Sequence, residues 1–140
     1  MDADEEAPFV DSNIWLYALV AGYDLAKTAL ARRVVQGSCR LSTQVVNEIC
    51  VNLIRKAGRT EDEISELIQC LHRQHTVAVV DEEVMLRAVD LRRAYSLSYW
   101  DSLIAAAALL AGATRLLTED MQDGLWIEGR LQIVNPLVIH

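Results

Sequence analysis

Short apolar runs alternate with longer amphipathic stretches along this chain. That alternation restricts it to an α/β domain in which helices cover a mostly parallel sheet. The expected fold class is α/β, with a central mostly parallel β-sheet flanked by helices in three layers. The runs at 8–10, 38–41, 76–80, 114–117 and 131–134 have strand length, and the intervening segments carry helical periodicity. Ser12 or Asn13 is placed to cap the helix IWLYALVA. A second helix, from about Asp24, is expected to stop at Gly37 in a left-handed conformation. Thr43 opens a third that runs to Lys56 or Ala57, with Gly58 beyond it. Thr60 and Glu63 form a capping box for a fourth, whose inner stripe is Ile64, Leu67, Ile68 and Leu71. Helices over 81–95 and 99–111 follow, the latter so rich in Ala and Leu that it is expected to be buried on most sides. The segment between the last two strands, with Gly124 and Gly129, reads as a polar loop.

At 140 residues and 52% hydrophobic the chain suits one domain with a real core. The expected division is a disordered acidic leader at 1–7 and one domain over 8–140. No apolar run reaches the ~20 residues that span a bilayer, and MDADEEAP is acidic where a secretion signal is basic, so the expected location is the cytoplasm. Cys39, Cys50 and Cys70 show no close pairing and read as buried small hydrophobes. Thirteen Lys plus Arg against 20 Asp plus Glu give a net charge of −7, which excludes coating of nucleic acid by bulk electrostatics. Local basic residues, with a cation offsetting the acids, keep a nucleic acid substrate open.

Four acids fall where a half-buried protein does not casually leave them. Asp11 ends the first strand, at the carboxyl edge where α/β sheets place ligands, although it also suits a helix cap. Glu48 lies one turn into a helix among Val45, Val46, Ile49 and Cys50. Asp101 begins the most apolar helix, where Ser98 and Asp101 also fit a capping box. Glu119 and Asp120 follow the strand TRLL and Thr118. As a set they converge on one mouth of the sheet, and two carboxylates ~5 Å apart repel by about 3 kcal/mol at an effective dielectric near 20. Such a cluster takes up protons or a hard cation, Mg²⁺ or Mn²⁺, and the chemistry that follows is metal-assisted hydrolysis of a phosphodiester.

The segments FVDSNIWLYA, STQVVNEICVNLIRK and SYWDSLIAAAALLAGATRLLTEDMQDG resemble the PIN-domain family, and within it the VapC-like ribonuclease toxins of toxin–antitoxin pairs. The resemblance spans nearly the whole chain. Position by position, its four acids match Asp11, Glu48, Asp101 and Asp120, expected to be both catalytic and metal-holding. Ser12 and Asn13 match small polar positions after the first acid, and Thr118 and Glu119 match polar positions flanking the fourth. Asp123 is an additional acid of unassigned part. The resemblance implies Mg²⁺-dependent endoribonuclease activity, with Mn²⁺ as substitute, a homodimer, and an antitoxin that covers the site. The chain departs from the pattern in its acidic leader and in ending NPLVIH, without an aromatic after Asn135 and Pro136. Arg55, Lys56, Arg92 and Arg93 are candidate guides for RNA phosphates, each with a solvated helix face as its bland reading.

Two other readings compete. One is a different Mg²⁺-dependent phosphohydrolase or a phospho-receiver. A dehalogenase-like phosphatase needs Asp-x-Asp where this chain has Asp11-Ser12-Asn13, and a receiver needs a Lys that 114–121 lacks. The other is a catalytically silent PIN-like module that binds RNA or a protein partner. His72 and His75, three apart near a helix end, fit dipole complementation better than metal binding. Trp15, Trp100 and Trp126 fit packing better than base stacking.

Overall fold

The computed structural model describes residues 7–20, 22 and 24–138. Most of the proposed acidic leader, residues 1–6, lies outside the described residues, as do 139 and 140; Ala7 is buried. In chain order the elements are β1 (Phe9–Val10), α1 (Ser12–Leu19), α2 (Leu25–Val35), β2 (Arg40–Ser42), α3 (Thr43–Ala57) and α4 (Glu61–Gln74). Then come β3 (Thr76–Ala78), α5 (Glu82–Ala94), α6 (Tyr99–Leu110), β4 (Arg115–Leu117), β5 (Trp126–Ile127) and β6 (Leu131–Val134).

The strands form one sheet in the order β3-β2-β1-β4-β6-β5, parallel throughout except for the β5–β6 pair. Helices flank it in a three-layer α/β/α arrangement. β1 is two residues long yet central. Phe9 pairs with Arg40 on one side and with Leu116 on the other, and Val10 pairs with Leu117. Phe9, Val10, Leu41, Leu116 and Ile133 are fully enclosed, as expected of parallel strands covered on both faces.

The chain leaves β1 toward β2 and β3 on one side, and later returns to the other side through β4. The strand order therefore reverses between β1 and β4, and a crevice opens at their carboxyl ends, the place where open α/β sheets bind ligands. Neighbouring backbones close the sheet just below it. Asp11 N–H donates to Leu117 O at 3.0 Å, and Thr118 N–H to Val134 O at 3.0 Å.

Several local expectations are corrected. α1 is capped by Asp11 itself, not by Ser12 or Asn13, so the helix starts one residue earlier than its apolar pattern indicates. α2 ends at Gln36 in right-handed geometry, and Gly37 has no positive φ. β2 spans Arg40–Ser42 instead of 38–41 and β3 stops at Ala78. The loop expected between the last two strands contains β5. Its hairpin with β6 turns at Glu128 (φ 54°) and Gly129 (φ 65°), with Arg130 N–H donating to Ile127 O at 3.1 Å. The register pairs Ile127 with Leu131, leaving a three-residue loop, and Glu128 is an unusual occupant of a positive-φ place within it.

Other expectations hold. Gly58 stops α3 in left-handed geometry, and Thr60 and Glu63 form the reciprocal capping box of α4. Ile64 and Leu71 are buried, with Leu67 and Ile68 packed beside them. In α6 every residue from Ser102 to Leu109 is buried. Its run of four alanines lets it pass close to α5 on one side and to β2 and β4 on the other. Such an interior is close-packed, so added volume has nowhere to go. Ala106→Leu is therefore expected to destabilise the domain by about 1–3 kcal/mol. A denaturation midpoint equal to wild type would show that α6 is not confined in this way.

Candidate active site

Asp11 is the pivot of the crevice. As the residue directly after β1 and the N-cap of α1, it is fixed by backbone on both sides and is only 4% exposed. Its Oδ1 accepts from Ser12 N–H at 2.7 Å, and its Oδ2 accepts from Thr118 Oγ1 at 2.8 Å. Thr118, itself buried, also accepts from Asp120 N–H at 3.2 Å, so one hydroxyl ties the end of β1 to the loop carrying the fourth acid.

Glu48 reaches the same place from α3. Its Oε2 accepts from Ser12 Oγ at 2.8 Å and its Oε1 from Gln44 Nε2 at 2.9 Å. Asp120 Oδ2 accepts from Asn13 Nδ2 at 2.8 Å. Asp101 begins α6, and its backbone N–H donates to Ser98 Oγ at 3.1 Å. The capping-box reading of Asp101 is thus half met. Ser98 caps the helix, but the Asp101 carboxylate makes no return bond and has no hydrogen-bond partner among the described residues.

Asp11, Glu48 and Asp120 accordingly face one another through neutral donors: two hydroxyls, one carboxamide from Gln44 and one from Asn13. No ion pair among the described residues involves any of the four acids. Burial, aided by the nearby charges of Glu48 and Asp120, raises the Asp11 pKa from 3.8 to about 6 against the lowering effect of its two hydrogen bonds. Asp120 is also raised, first by burial and then by Glu119, Asp101 and Glu48, while the bond from Asn13 opposes the shift. Asp11 therefore senses Glu48 and Asp120, and Asp120 senses Asp101 and Glu48, so Asp120 links Asp101 to the rest. They are nonetheless held apart by their bridging hydroxyls and amides. Among the described residues no three carboxylate, imidazole or thiol groups are drawn together tightly enough to enclose an ion.

The remaining candidates separate. Ser12, Asn13 and Thr118 lie between the acids as just described. Glu119 turns away, accepting from Tyr17 Oη at 2.9 Å and pairing with Lys27 Nζ at 3.1 Å. Asp123 accepts from Asn135 N–H at 2.8 Å, which fastens the loop before β5 to the end of β6. Asn135 Oδ1 in turn accepts from Leu137 N–H at 3.0 Å, and buried Leu137 anchors the end where an aromatic is absent. Lys56 borders a hollow beside the acids, Arg55 and Arg92 are exposed, and Arg93 pairs with Asp90. Gln44 was not anticipated. Its position four residues before Glu48 on one helix face is the signal that pointed to it.

The histidines have separate local roles. His72 Nδ1 lies 2.8 Å from Ile68 O, whereas His75 Nδ1 accepts from Cys39 N–H at 3.0 Å and its ring meets Trp15 edge-on. Trp15 is core, but Trp100 and Trp126 are more than half exposed. All three cysteines are free.

A model of the PIN domain matches residues 9–122, a span that carries all four acids. The chain belongs to the PIN domain family. Comparison with curated proteins finds no match. Among solved structures, a toxin–antitoxin complex from Klebsiella pneumoniae is 21% identical over 93% of this chain and 98% of its counterpart, with a TM-score of 0.69. The sarcin-ricin loop cleaving toxin VapC20 of Mycobacterium tuberculosis is 20% identical over 79% and 87%, with a TM-score of 0.63. VapBC2 of Rickettsia felis, bound to a promoter DNA fragment, is 14% identical over 92% and 99%, with a TM-score of 0.62. At these identities the likeness is one of fold, and it extends over most of this PIN domain. Among its described residues no helix is long and apolar enough to cross a membrane.

The raised Asp11 has a thermodynamic consequence. The folded state holds a proton that the unfolded state releases between pH 3.8 and about 6, so this group's contribution to stability falls as pH rises through that window and stays low above it. A displacement of about 2 units corresponds to roughly 3 kcal/mol. Asparagine can still cap α1, so Asp11→Asn is expected to raise metal-free stability at pH 7 and to narrow the difference between pH 4.5 and pH 7. Urea denaturation in EDTA at both values measures this. A variant no more stable than wild type at pH 7 would contradict the burial-driven shift.

Proposed function

We propose that this PIN domain is a metal-dependent endoribonuclease and the toxin of a toxin–antitoxin pair. The observation that carries the reading is the isolation of Asp11. It is a buried carboxylate at the sheet's switch point, raised in pKa, with two further acids nearby and no cation paired to any of them. Acids arranged only for stability are paired or solvated. Asp11 is neither paired with a cation nor solvated, and proteins keep such costs at functional sites.

The donor set fits a hard divalent cation. Asp11, Asp101 and Asp120 are the proposed ligands, directly or through water, and Glu48 completes the shell or orients the attacking water. Carboxylate oxygens select Mg²⁺ or Mn²⁺, which supply a Lewis acid for the phosphate and lower the pKa of bound water. Asp101 has no hydrogen bond to give up in turning toward an ion. Gln44 and Ser12 hold the two Glu48 oxygens and so fix the direction in which that carboxylate accepts a proton. Asn13 does the same for Asp120.

RNA as substrate, an antitoxin partner and a homodimer are part of this proposal; the family and the toxin structures of the same fold support the first two, and the homodimer is carried over from the VapC-like resemblance. The silent-module reading requires acids that have lost their neighbours, whereas here each of Asp11, Glu48 and Asp120 keeps a dedicated neutral donor. Purified protein is expected to cut a mixed structured RNA with Mg²⁺ or Mn²⁺, and not with EDTA. Asp11→Asn and Asp101→Asn are expected to fold and yet lose cleavage by about a hundredfold or more. Cleavage retained by the folded Asp11→Asn variant would refute the site, and a folded wild type that neither cuts nor takes up Mn²⁺ would favour the silent module.

A further inference from the structure

Two hollows border the acids. The larger, of about 450 Å³, meets Asp101 and Asp120 beside the loop between α5 and α6, and no cation lines it. The other, of about 230 Å³, opens between α1 and α3. It has apolar walls at Leu16, Val20 and Ala57 and a polar rim at Asn13, Asn52 and Lys56. It joins the acid cluster through Asn13, whose amide reaches Asp120 at 2.8 Å.

The hydrogen bonds at this rim assign its chemistry. Asn13 Nδ2 donates to a carboxylate and Asn52 Nδ2 donates to Glu48 O at 2.8 Å, so in both side chains the nitrogen is identified by its acceptor. Their Oδ1 atoms are left as acceptors with no partner among the described residues. The Lys56 ammonium likewise has no ion pair or hydrogen bond among them. By contrast, Tyr17 and Glu119, which also line the hollow, are engaged with each other and with Lys27.

We propose that this hollow is a nucleobase subsite, receiving a base next to the scissile phosphate, with Lys56 contacting the adjoining phosphate. The inference rests on the nuclease reading and adds a substrate preference to it. The volume lies below the ~300 Å³ at which sites for drug-sized ligands begin, a size class that suits one nucleobase. Two amide acceptors favour a base with an exocyclic amine, whose single nitrogen carries two N–H donors. Uracil has no such amine and offers one N–H on its Watson–Crick edge, so it leaves an acceptor unmet.

The test is cleavage of a randomised single-stranded RNA with Mn²⁺, with the cut ends sequenced. For wild type, one position flanking the cut is expected to be depleted of uridine by about tenfold, and in Asn52→Ala the ratio of amino-bearing bases to uridine there is expected to fall toward one. Lys56→Gln is expected to raise KM several-fold and to reduce the salt dependence of KM. Melting curves establish that both variants fold. Cuts with the same base distribution in wild type and Asn52→Ala would overturn the subsite while leaving the nuclease reading intact.

A wild type that does not cut strikes the nuclease reading instead, and the subsite is then read by binding. The Asp11→Asn protein is expected to hold a fluorescent hexamer of adenosine about tenfold more tightly than one of uridine, and to lose that difference when Asn52→Ala is added. Equal binding of the two hexamers, or a difference that survives Asn52→Ala, would overturn the proposal and assign the hollow to a protein partner's side chain.

Discussion

The Asp11 carboxylate ties the two halves of the sheet together above the β1–β4 ladder. Where the strand order of a parallel sheet reverses, a gap opens above the central strands, and here the ladder is extended by the bond from Thr118 Oγ1 to Asp11 Oδ2 and by the backbone bond from Asp11 to Leu117. The other oxygen of the same group caps α1. Strand, loop and helix thus meet at one side chain, and the positions of Ser12, Asn13 and Asp120 follow from it. The proposed reaction centre and the structural joint are the same residue, so under that proposal substitutions there change folding and chemistry together, in opposite directions.

This coincidence explains why the neighbouring donors are neutral. An arginine beside Asp11 would stabilise the folded protein and bring its pKa down, but it would also fill the place of a divalent cation. Hydroxyls and carboxamides orient the carboxylates without neutralising them. Ser12 is the economical case, since its N–H caps onto Asp11 while its hydroxyl serves Glu48 across 36 residues of sequence. The basic residues of this chain lie farther out. Lys27 is bound to Glu119, and that pairing turns Glu119 from the cluster despite its position beside Asp120.

What the sequence made legible divides along the same line between local and long-range physics. The helices were readable because period and caps are local: the Thr60 and Glu63 box, the Gly58 stop and the buried alanines of α6 all lie where their patterns place them. β1, β4 and β6 were readable as apolar runs between helices. β5 was not, because two residues carry no period and its pairing depends on a turn with Glu128 at positive φ, a place that residue type seldom occupies. The cap of α1 was misassigned because Asp, Ser and Asn in succession are equally good caps, and only the tie to Thr118, 107 residues away, decides among them. Gly37 misled for the converse reason: glycine permits a left-handed stop without requiring one.

The four acids were legible as strand ends and helix starts, but the residues that connect them were not. Gln44 reads as an ordinary exposed helix position, and Asn52 as another. Each is placed by α3, which presents Gln44, Glu48 and Asn52 at intervals of four and so lines up three half-buried polar side chains along one edge of the helix, beside its buried face. Gln44 holds the Glu48 side chain, and Asn52 bonds the Glu48 carbonyl. One edge of a single helix therefore carries both the Glu48 acid and the rim of the hollow, and the distance between the proposed reaction centre and the proposed base subsite is set by the pitch of α3.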